Sequence, residues 1–444
     1  MPNWGGDGRR MDVPGFWSTI LSRGGQINRV DQVGRVAGCV GDYVRGFFWL
    51  VKVMRSGAII FGPTGAGKTS LVKNALVHLR ECLGDDFSVV VFDITGNYEG
   101  YTDYHAPYPL NVLELPPDTL VDVVEEVYQI AGKPQAITPT MAQNLETFLA
   151  WLLGVEPPPQ GFDASRFPKT LGGLIGLAKA AVSEGVIQGN LVESVMALVR
   201  RLNQLRHWLV DSETHPIIKR LLHGELRGWS VGIDLRVFRR GIRRWFYIVS
   251  FLQAVLNSGV SNLFVVVDEA HRYFRGEDTT LSELVRMGRN YGVFTILITQ
   301  SPNDIPSEIF MASRVYVEFP IAYMNVKDLL SRRPTYKYAI GDEEPGVRPR
   351  GELEEHWRDI HVAMLHLQVM TKEAKEQFGP GLWTMPIKVD VEVQPKPNAV
   401  TLRRCVESVA PSMAGDLMNV IREYGFSHVG YNKLLEGVWR CIGA

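Results

Sequence analysis

Cysteine is scarce in this chain. Four residues, Cys39, Cys82, Cys405 and Cys441, lie far apart among 444 and form no C-x-x-C pair. Such spacing excludes a zinc knuckle or a redox motif and, at this size, a disulfide-built scaffold. Net charge is missing as well, with 47 Lys+Arg against 48 Asp+Glu. The chain is no polycation, so a nucleic-acid partner would have to be met by a local basic surface. No run approaches the roughly 20 apolar residues that a bilayer span needs; the most apolar early stretch, Phe47 to Val51, breaks at Lys52 and Arg55. The opening MPNWGGDGRRMDVPG lacks the charged-then-apolar layout of a signal peptide. Together these absences lead to the expectation of a reduced, soluble, cytoplasmic protein with no membrane partner. Disorder is excluded too, because 45% of residues are hydrophobic and only 21% charged.

At about 150 residues per domain the length allows two or three domains, or one large domain with insertions. Charge falls in blocks: eight basic against four acidic residues over 1–60, three against eleven over 61–130, nine against six over 231–300. Neutrality is therefore a sum of unlike segments. Residues 1–55 form a short N-terminal region in which 26–55 read as short strands or a small subdomain. From residue 57, GAIIFG is a buried strand followed by a Gly-rich turn and an amphipathic helix. FSVVVFD (87–93), GIDL (232–235), LFVVVD (263–268), VFTILIT (293–299) and RVYVEF (314–319) are further strands of aliphatic character. Continuous aliphatic strands alternating with helices indicate a parallel sheet covered on both faces. Helical patterns fill an insert at about 100–230, and 236–257 read as one long helix. The resulting division is an α/β domain over 56–330, a loop and β extension over 331–398, and a helical segment over 399–444.

Gly62-Pro63-Thr64-Gly65-Ala66-Gly67-Lys68-Thr69, followed by Ser70, fits G-x-x-x-x-G-K-[ST] with a strand before it and a helix after it. The glycines let backbone N–H groups turn inward around phosphate oxygens. The helix then aims its positive end at the same anion. In this chemistry Lys68 reaches the β/γ-phosphates of ATP and the Thr69 hydroxyl ligates Mg²⁺. The second half of the site is Asp268-Glu269 at the end of LFVVVD. Asp268 is the expected Mg²⁺ ligand, and Glu269 the expected general base toward water. Gln300 closes VFTILIT; if that strand neighbours both others, its amide senses the γ-phosphate.

In order, these segments resemble the HerA/FtsK superfamily of ring-forming DNA-translocating ATPases, on the HerA side. The resemblance is carried by GPTGAGKTS (62–70), VVVFDITGNY (89–98), VVVDEAHRYF (265–274), VRMGRNYGVFTILITQSPNDI (285–305) and RVYVEF, over roughly residues 55–320. It implies a P-loop NTPase of the RecA-like ASCE class, a parallel sheet flanked by helices, working as a homohexamer on DNA. ATP would bind between subunits, and an arginine from TTLSELVRMGRNYG would serve the neighbour's γ-phosphate, with Arg289 favoured and Arg286 second. A nuclease or other DNA-processing protein is an expected class of partner. Two departures stand out: Gly96-Asn97-Tyr98 replaces the family's Gly-Glu-Tyr, and about 55 N-terminal residues are too few for the family's barrel. A genome-packaging or DNA-transfer ATPase of the same fold, and a nucleotide-dependent switch or scaffold, are the alternative functions.

Weaker signals complete the pattern. Arg236, Arg239, Arg240, Arg243 and Arg244 crowd nine residues and, on a helix, form a basic stripe facing DNA phosphates, a subunit seam or solvent. His271 follows the acidic pair. His356, His361 and His366 recur every five residues, which on a helix does not share a face and argues against a metal site. The C-terminal SMAGDLMNVIREYGFSHVGYNKLLEGVW reads as a helical cap or a helix-turn-helix module.

Overall fold

The computed structural model describes residues 44–62, 64, 67–239, 241–274, 279–301, 305–313, 315–319, 337–340, 343–347, 362–368, 382–388, 400–417, 420 and 431–443. The first described element is a helix, α1 (Phe47–Met54), where short strands were expected. FFWLVKVM is apolar nearly all round, and such a run has no period to separate helix from strand.

Among the described residues twelve strands follow: β1 (Ala58–Phe61), β2 (Ser88–Asp93), β3 (Tyr104–Ala106), β4 (Ser230–Asp234), β5 (Leu263–Val267), β6 (Val293–Thr299), β7 (Val315–Glu318), β8 (Lys337–Ile340), β9 (Glu343–Val347), β10 (Val362–Gln368), β11 (Leu382–Lys388) and β12 (Val400–Thr401). Ten form one sheet in the order β11-β10-β7-β1-β6-β5-β2-β4-β3-β12, and β8 pairs with β9 separately. From β7 to β12 every neighbouring pair is parallel. β10 and β11 extend the sheet beyond β7 as antiparallel neighbours. Segments 362–368, 382–388 and 400–401 thus join the same sheet as the phosphate-loop strand. β6 lies between β1 and β5, the neighbourhood on which the reading of Gln300 depended.

Helices cover both faces because successive side chains on each strand point opposite ways. Ala58 and Ile60 of β1, Val89 and Val91 of β2, and Phe264 and Val266 of β5 share a core with α1 and with α2 (Lys68–Val77). Ile59, Phe61, Val90, Phe92, Val265 and Val267 face a larger core on the other side. That core includes five insert helices, α3 (Pro117–Ile130), α4 (Pro139–Leu153), α5 (Leu171–Ser183), α6 (Leu191–Leu205) and α7 (Pro216–Leu222), which all lie between β3 and β4. Thr138 and Thr170 cap α4 and α5 by accepting from the N–H groups of Met141 and Gly173. The long helix after β4, α8, runs Gly241–Ser258 rather than from residue 236. Next come α9 (Thr280–Met287) and α10 (Ser307–Ala312).

At the far end, β12 pairs with β3 and leads into α11 (Leu402–Val409), followed by α12 (Asn432–Gly443). Cys405, Val406, Leu417, Leu435 and Val438 belong to the large core, so this segment packs as a cap on the sheet domain. Cys405 and Cys441 are disulfide-bonded, which corrects the expectation of unpaired thiols. Thirty-six residues separate them in sequence, yet helix packing brings their Cα atoms to 5.6 Å. Among the described residues no helix is long and apolar enough to cross a membrane, and no three or more His, Cys, Asp or Glu side chains cluster as metal ligands. His356 and His361 lie outside the described residues; His366 sits on β10.

Two insert histidines are neutral parts of this packing. His207 and His215 accept the N–H groups of Leu209 and Ile217 through Nδ1. Burial pulls both rings down to about 4. As pH falls below about 6.5 the unfolded chain takes up protons that the folded chain refuses until about pH 4, so stability falls through this window. Each ring contributes up to about 1.4 kcal/mol per pH unit. Denaturant melts between pH 7 and 4.5 should show the loss, and His215→Gln should flatten its slope by about half.

Candidate functional site

β1 is four buried residues, Ala-Ile-Ile-Phe, that end on a loop with special backbone needs. Gly62 has φ +150°, and a Cβ there would lie 2.6 Å from the Phe319 carbonyl oxygen. Gly67 caps α2 at φ +103°, with the Phe319 ring 3.2 Å from where its Cβ would be. Phe319, just past β7, also donates its N–H to the Phe61 carbonyl. The phosphate loop is therefore seated on this residue. Pro63, Gly65 and Ala66 lie outside the described residues; Thr64 is exposed, and Lys68, Thr69 and Ser70 open α2 half-buried.

Lys68 Nζ donates to the Gly62 carbonyl at 2.6 Å. Burial lowers the ammonium's pKa, while the charges of Asp268 and Glu269 raise it. The loop lysine and the acidic pair of β5 therefore share one electrostatic environment. Asp268 is 6% exposed. Burial pushes its carboxyl up to about 6, helped by Glu269 and Asp93 and opposed by the Glu269 N–H and Lys68. A buried carboxylate so poorly compensated by the protein suits a divalent cation. Thr69 and Asp268 offer the hard oxygen donors that Mg²⁺ takes.

Glu269 turns away from the strand in the left-handed region at φ +54°, a conformation costing on the order of 1–3 kcal/mol for a residue of this kind. Its Oε2 is buried without a hydrogen bond, 3.6 Å from His271 Nε2 and 3.5 Å from Arg272 Nη2. Gln300 is exposed at the C-terminal end of β6, between the ends of β1 and β5. The structure therefore gathers Lys68, Thr69, Asp268, Glu269 and Gln300 at one edge of the sheet.

The arginines divide. α9 ends at Met287, and Gly288–Tyr291 continue as a 3-10 turn, so Arg286 and Arg289 do not share one α-helical flank. Arg286 Nη1 lies 3.7 Å from Glu308 of α10; Arg289 is exposed. The start of α9 is held by Glu126 of α3, which accepts from both the N–H and the hydroxyl of Thr280, and burial raises the Glu126 carboxyl. The insert thus anchors the arginine-bearing helix. The Arg236–Arg244 run does not form one stripe. Arg236 sits in the turn before α8, bidentate on Asp234 (2.9 and 2.7 Å) and 3.3 Å from Glu99. Arg243 and Arg244 donate to the carbonyls of Gln204 and Phe238. Arg239 is exposed, and Arg240 lies outside the described residues.

From the sequence, Tyr98 and His105 carry no assigned role. Asp93, fully buried at the end of β2, accepts from the backbone N–H groups of Thr95, Gly96, Asn97 and Tyr98 and from His105 Nε2. Burial alone would raise this carboxyl; His105 and the N–H groups of Tyr98 and Gly96 hold it below the usual carboxylate value. The loop so fixed places the Tyr98 hydroxyl 3.4 Å from Asp268 Oδ2. The only sequence signal for Tyr98 is its place after Gly96-Asn97.

A parallel sheet with a phosphate loop on one strand, an acidic pair two strands away and a polar strand end between them defines a P-loop NTPase fold. Residues 51–152 match the family described as "Helicase HerA, central domain" (DUF87), and over this segment the chain is similar to that family. Among solved structures it is similar to VirB4 of Thermoanaerobacter pseudethanolicus (13% identity, 76% of this chain and 90% of that one, TM-score 0.48). It is also similar to the plasmid coupling protein TrwB bound to a non-hydrolysable ATP analogue (13%, 78% and 87%, TM-score 0.49). A third similarity is to the genome packaging NTPase B204 of Sulfolobus turreted icosahedral virus 2 (10%, 75% and 98%, TM-score 0.32). No curated protein matches.

Gly62→Ala puts a methyl group against the Phe319 backbone in a conformation that disfavours it. We expect at least a tenfold loss of affinity for a fluorescent ATP analogue, from strain of about 1–3 kcal/mol, with the far-UV circular dichroism spectrum retained.

Proposed function

We propose that this chain is an ATP-hydrolysing DNA translocase or helicase motor of the HerA/FtsK type, acting as a ring-shaped homohexamer. The observation that carries the reading is the meeting of Lys68 and Thr69, Asp268 and Glu269, and Gln300 at one sheet edge, from three adjacent strands. In this reading the backbone of the 62–69 loop and the start of α2 cradle the phosphates. Lys68 leaves the Gly62 carbonyl for the β- and γ-phosphate oxygens. Thr69 and Asp268 hold Mg²⁺, which when bound neutralises charge on the phosphates. Glu269 takes a proton from the attacking water, and its neighbours His271 and Arg272 keep the carboxylate oriented. Gln300 contacts the γ-phosphate from the intervening strand. Arg289, exposed and unclaimed by the sheet edge of its own subunit, reaches the γ-phosphate bound by the next subunit, with Arg286 as the alternative.

Glu269 favours a hydrolytic motor over a nucleotide-dependent switch or scaffold, because a switch needs no base beside its metal ligand. DNA is the expected track and a hexamer the expected assembly. Packaging or transfer of DNA by the same fold would differ in partner rather than in site.

Two measurements test this reading. Glu269→Gln should lower ATP turnover at least 100-fold while retaining bound ATP, read by phosphate release and by nucleotide retention after gel filtration. A variant as active as the parent sinks the assignment. Arg289→Ala should leave fluorescent-nucleotide affinity near wild type and cut DNA-stimulated hydrolysis by 10³-fold or more, the order seen for trans-acting arginines. Native mass measurement with ATP and DNA should give six copies; a DNA-insensitive monomer contradicts the motor reading.

A further inference from the structure

Tyr98 is fully buried, and its hydroxyl takes part in two contacts that meet at the metal end of the site. It donates to Asp268 Oδ2 at 3.4 Å, and the Thr69 side chain hydrogen-bonds the same phenol. Thr69 is on α2 and Asp268 at the end of β5, and β6 stands between β5 and β1 in the sheet. Tyr98 comes from a third place, the loop after β2, and reaches both.

That loop is unusually well determined. Both oxygens of Asp93 are used: Oδ1 accepts from Thr95, Gly96 and Asn97, and Oδ2 from Tyr98 N–H and His105 Nε2. His105 fits because β4 carries Gly232 opposite it; a Cβ there would lie 2.4 Å from the ring. Gly96 adopts φ +81°, with the Arg236 guanidinium where a side chain would begin. Each of these features fixes the backbone just before Tyr98. A loop held this firmly, ending in one buried phenol between two candidate metal ligands, is built to set their geometry.

We propose that Tyr98 is a positioning residue of the nucleotide site: its hydroxyl bridges Thr69 and Asp268 and sets their separation for the divalent cation. The assignment rests on the reading of this site as one for Mg²⁺-nucleotide. Removing the hydroxyl leaves the ring, and so the packing, in place, while Asp268 and Thr69 lose their common partner. The predicted defect is confined to the cation.

The test uses the full chain, wild type and Tyr98→Phe, titrated with a fluorescent ATP analogue first in excess EDTA and then over a Mg²⁺ series. We expect nucleotide affinity in EDTA to change less than about twofold and the Mg²⁺ midpoint to rise about tenfold, as for loss of a hydrogen bond to a charged group. His105→Gln loosens the loop while keeping the phenol. It should shift the same midpoint in the same direction by a smaller factor, and it serves as the test should Tyr98→Phe fail to fold. A Mg²⁺ midpoint unchanged in the folded variant overturns the role of Tyr98 alone. An equal loss with and without Mg²⁺ also overturns it, because the residue would then merely support the loop. A wild-type chain that binds no nucleotide under either condition overturns both this proposal and the reading it rests on.

Discussion

The buried carboxylate of Asp93 is the interaction on which the active edge of this protein depends. A carboxylate taken out of water is costly unless its oxygens are met by donors. Here the donors are four consecutive backbone N–H groups and one imidazole. The requirement works both ways: satisfying Asp93 forces residues 94–98 to wrap around it, and the wrap delivers Tyr98 to Asp268. His105 belongs to β3, so the same carboxylate also ties the third strand to the end of the second across β4. Asp93, for all its place at a strand end, is used entirely in building this frame.

Charge at the neighbouring strand ends is organised differently. Asp268 and Glu269 are not fully satisfied: one carboxyl is pushed up by burial, and the other leaves an oxygen without a hydrogen bond. Lys68 compensates in part from α2 but is itself held by the Gly62 carbonyl. Asp93, at the end of the next strand, has both oxygens met by donors, so the two carboxylates differ in kind. The incompleteness at Asp268 and Glu269 is the pattern expected where a folded chain reserves donors and acceptors for a ligand that brings its own charges.

How much of this was legible in the sequence follows from the range of the interactions. Gly62 to Thr69, Asp268, Glu269 and Gln300 are read from short segments, because a strand, a turn and a helix start are local and the chemistry sits on their ends. The alternation of aliphatic strands with helices likewise gave the parallel sheet. Illegible were the features that need two distant segments to meet. Tyr98 and Asp268 are 170 residues apart, and the slot for His105 opens at Gly232. The arginines near residue 240 look like one basic face only if the helix begins early; Asp234 and Glu99 claim Arg236 instead. Cys405 and Cys441 were passed over for the same reason, since separation along the chain says nothing about helix packing. The apolar run at Phe47 was ambiguous in a different way, having no period to read.

Phe319 joins the loop after β1 to the end of β7. Its N–H is bonded to the last residue of β1, and its ring and carbonyl close the space beside Gly62 and Gly67. It directly follows β7, and β7 is the strand on which the antiparallel pair β10–β11 is built. The phosphate loop and that pair therefore share a single rigid joint. A shift of the loop by even half an ångström would press on backbone rather than on a yielding side chain, and β7 would carry the displacement outward. Phe319 thus couples the 62–67 loop to the antiparallel wing of the sheet through one continuous stretch of backbone.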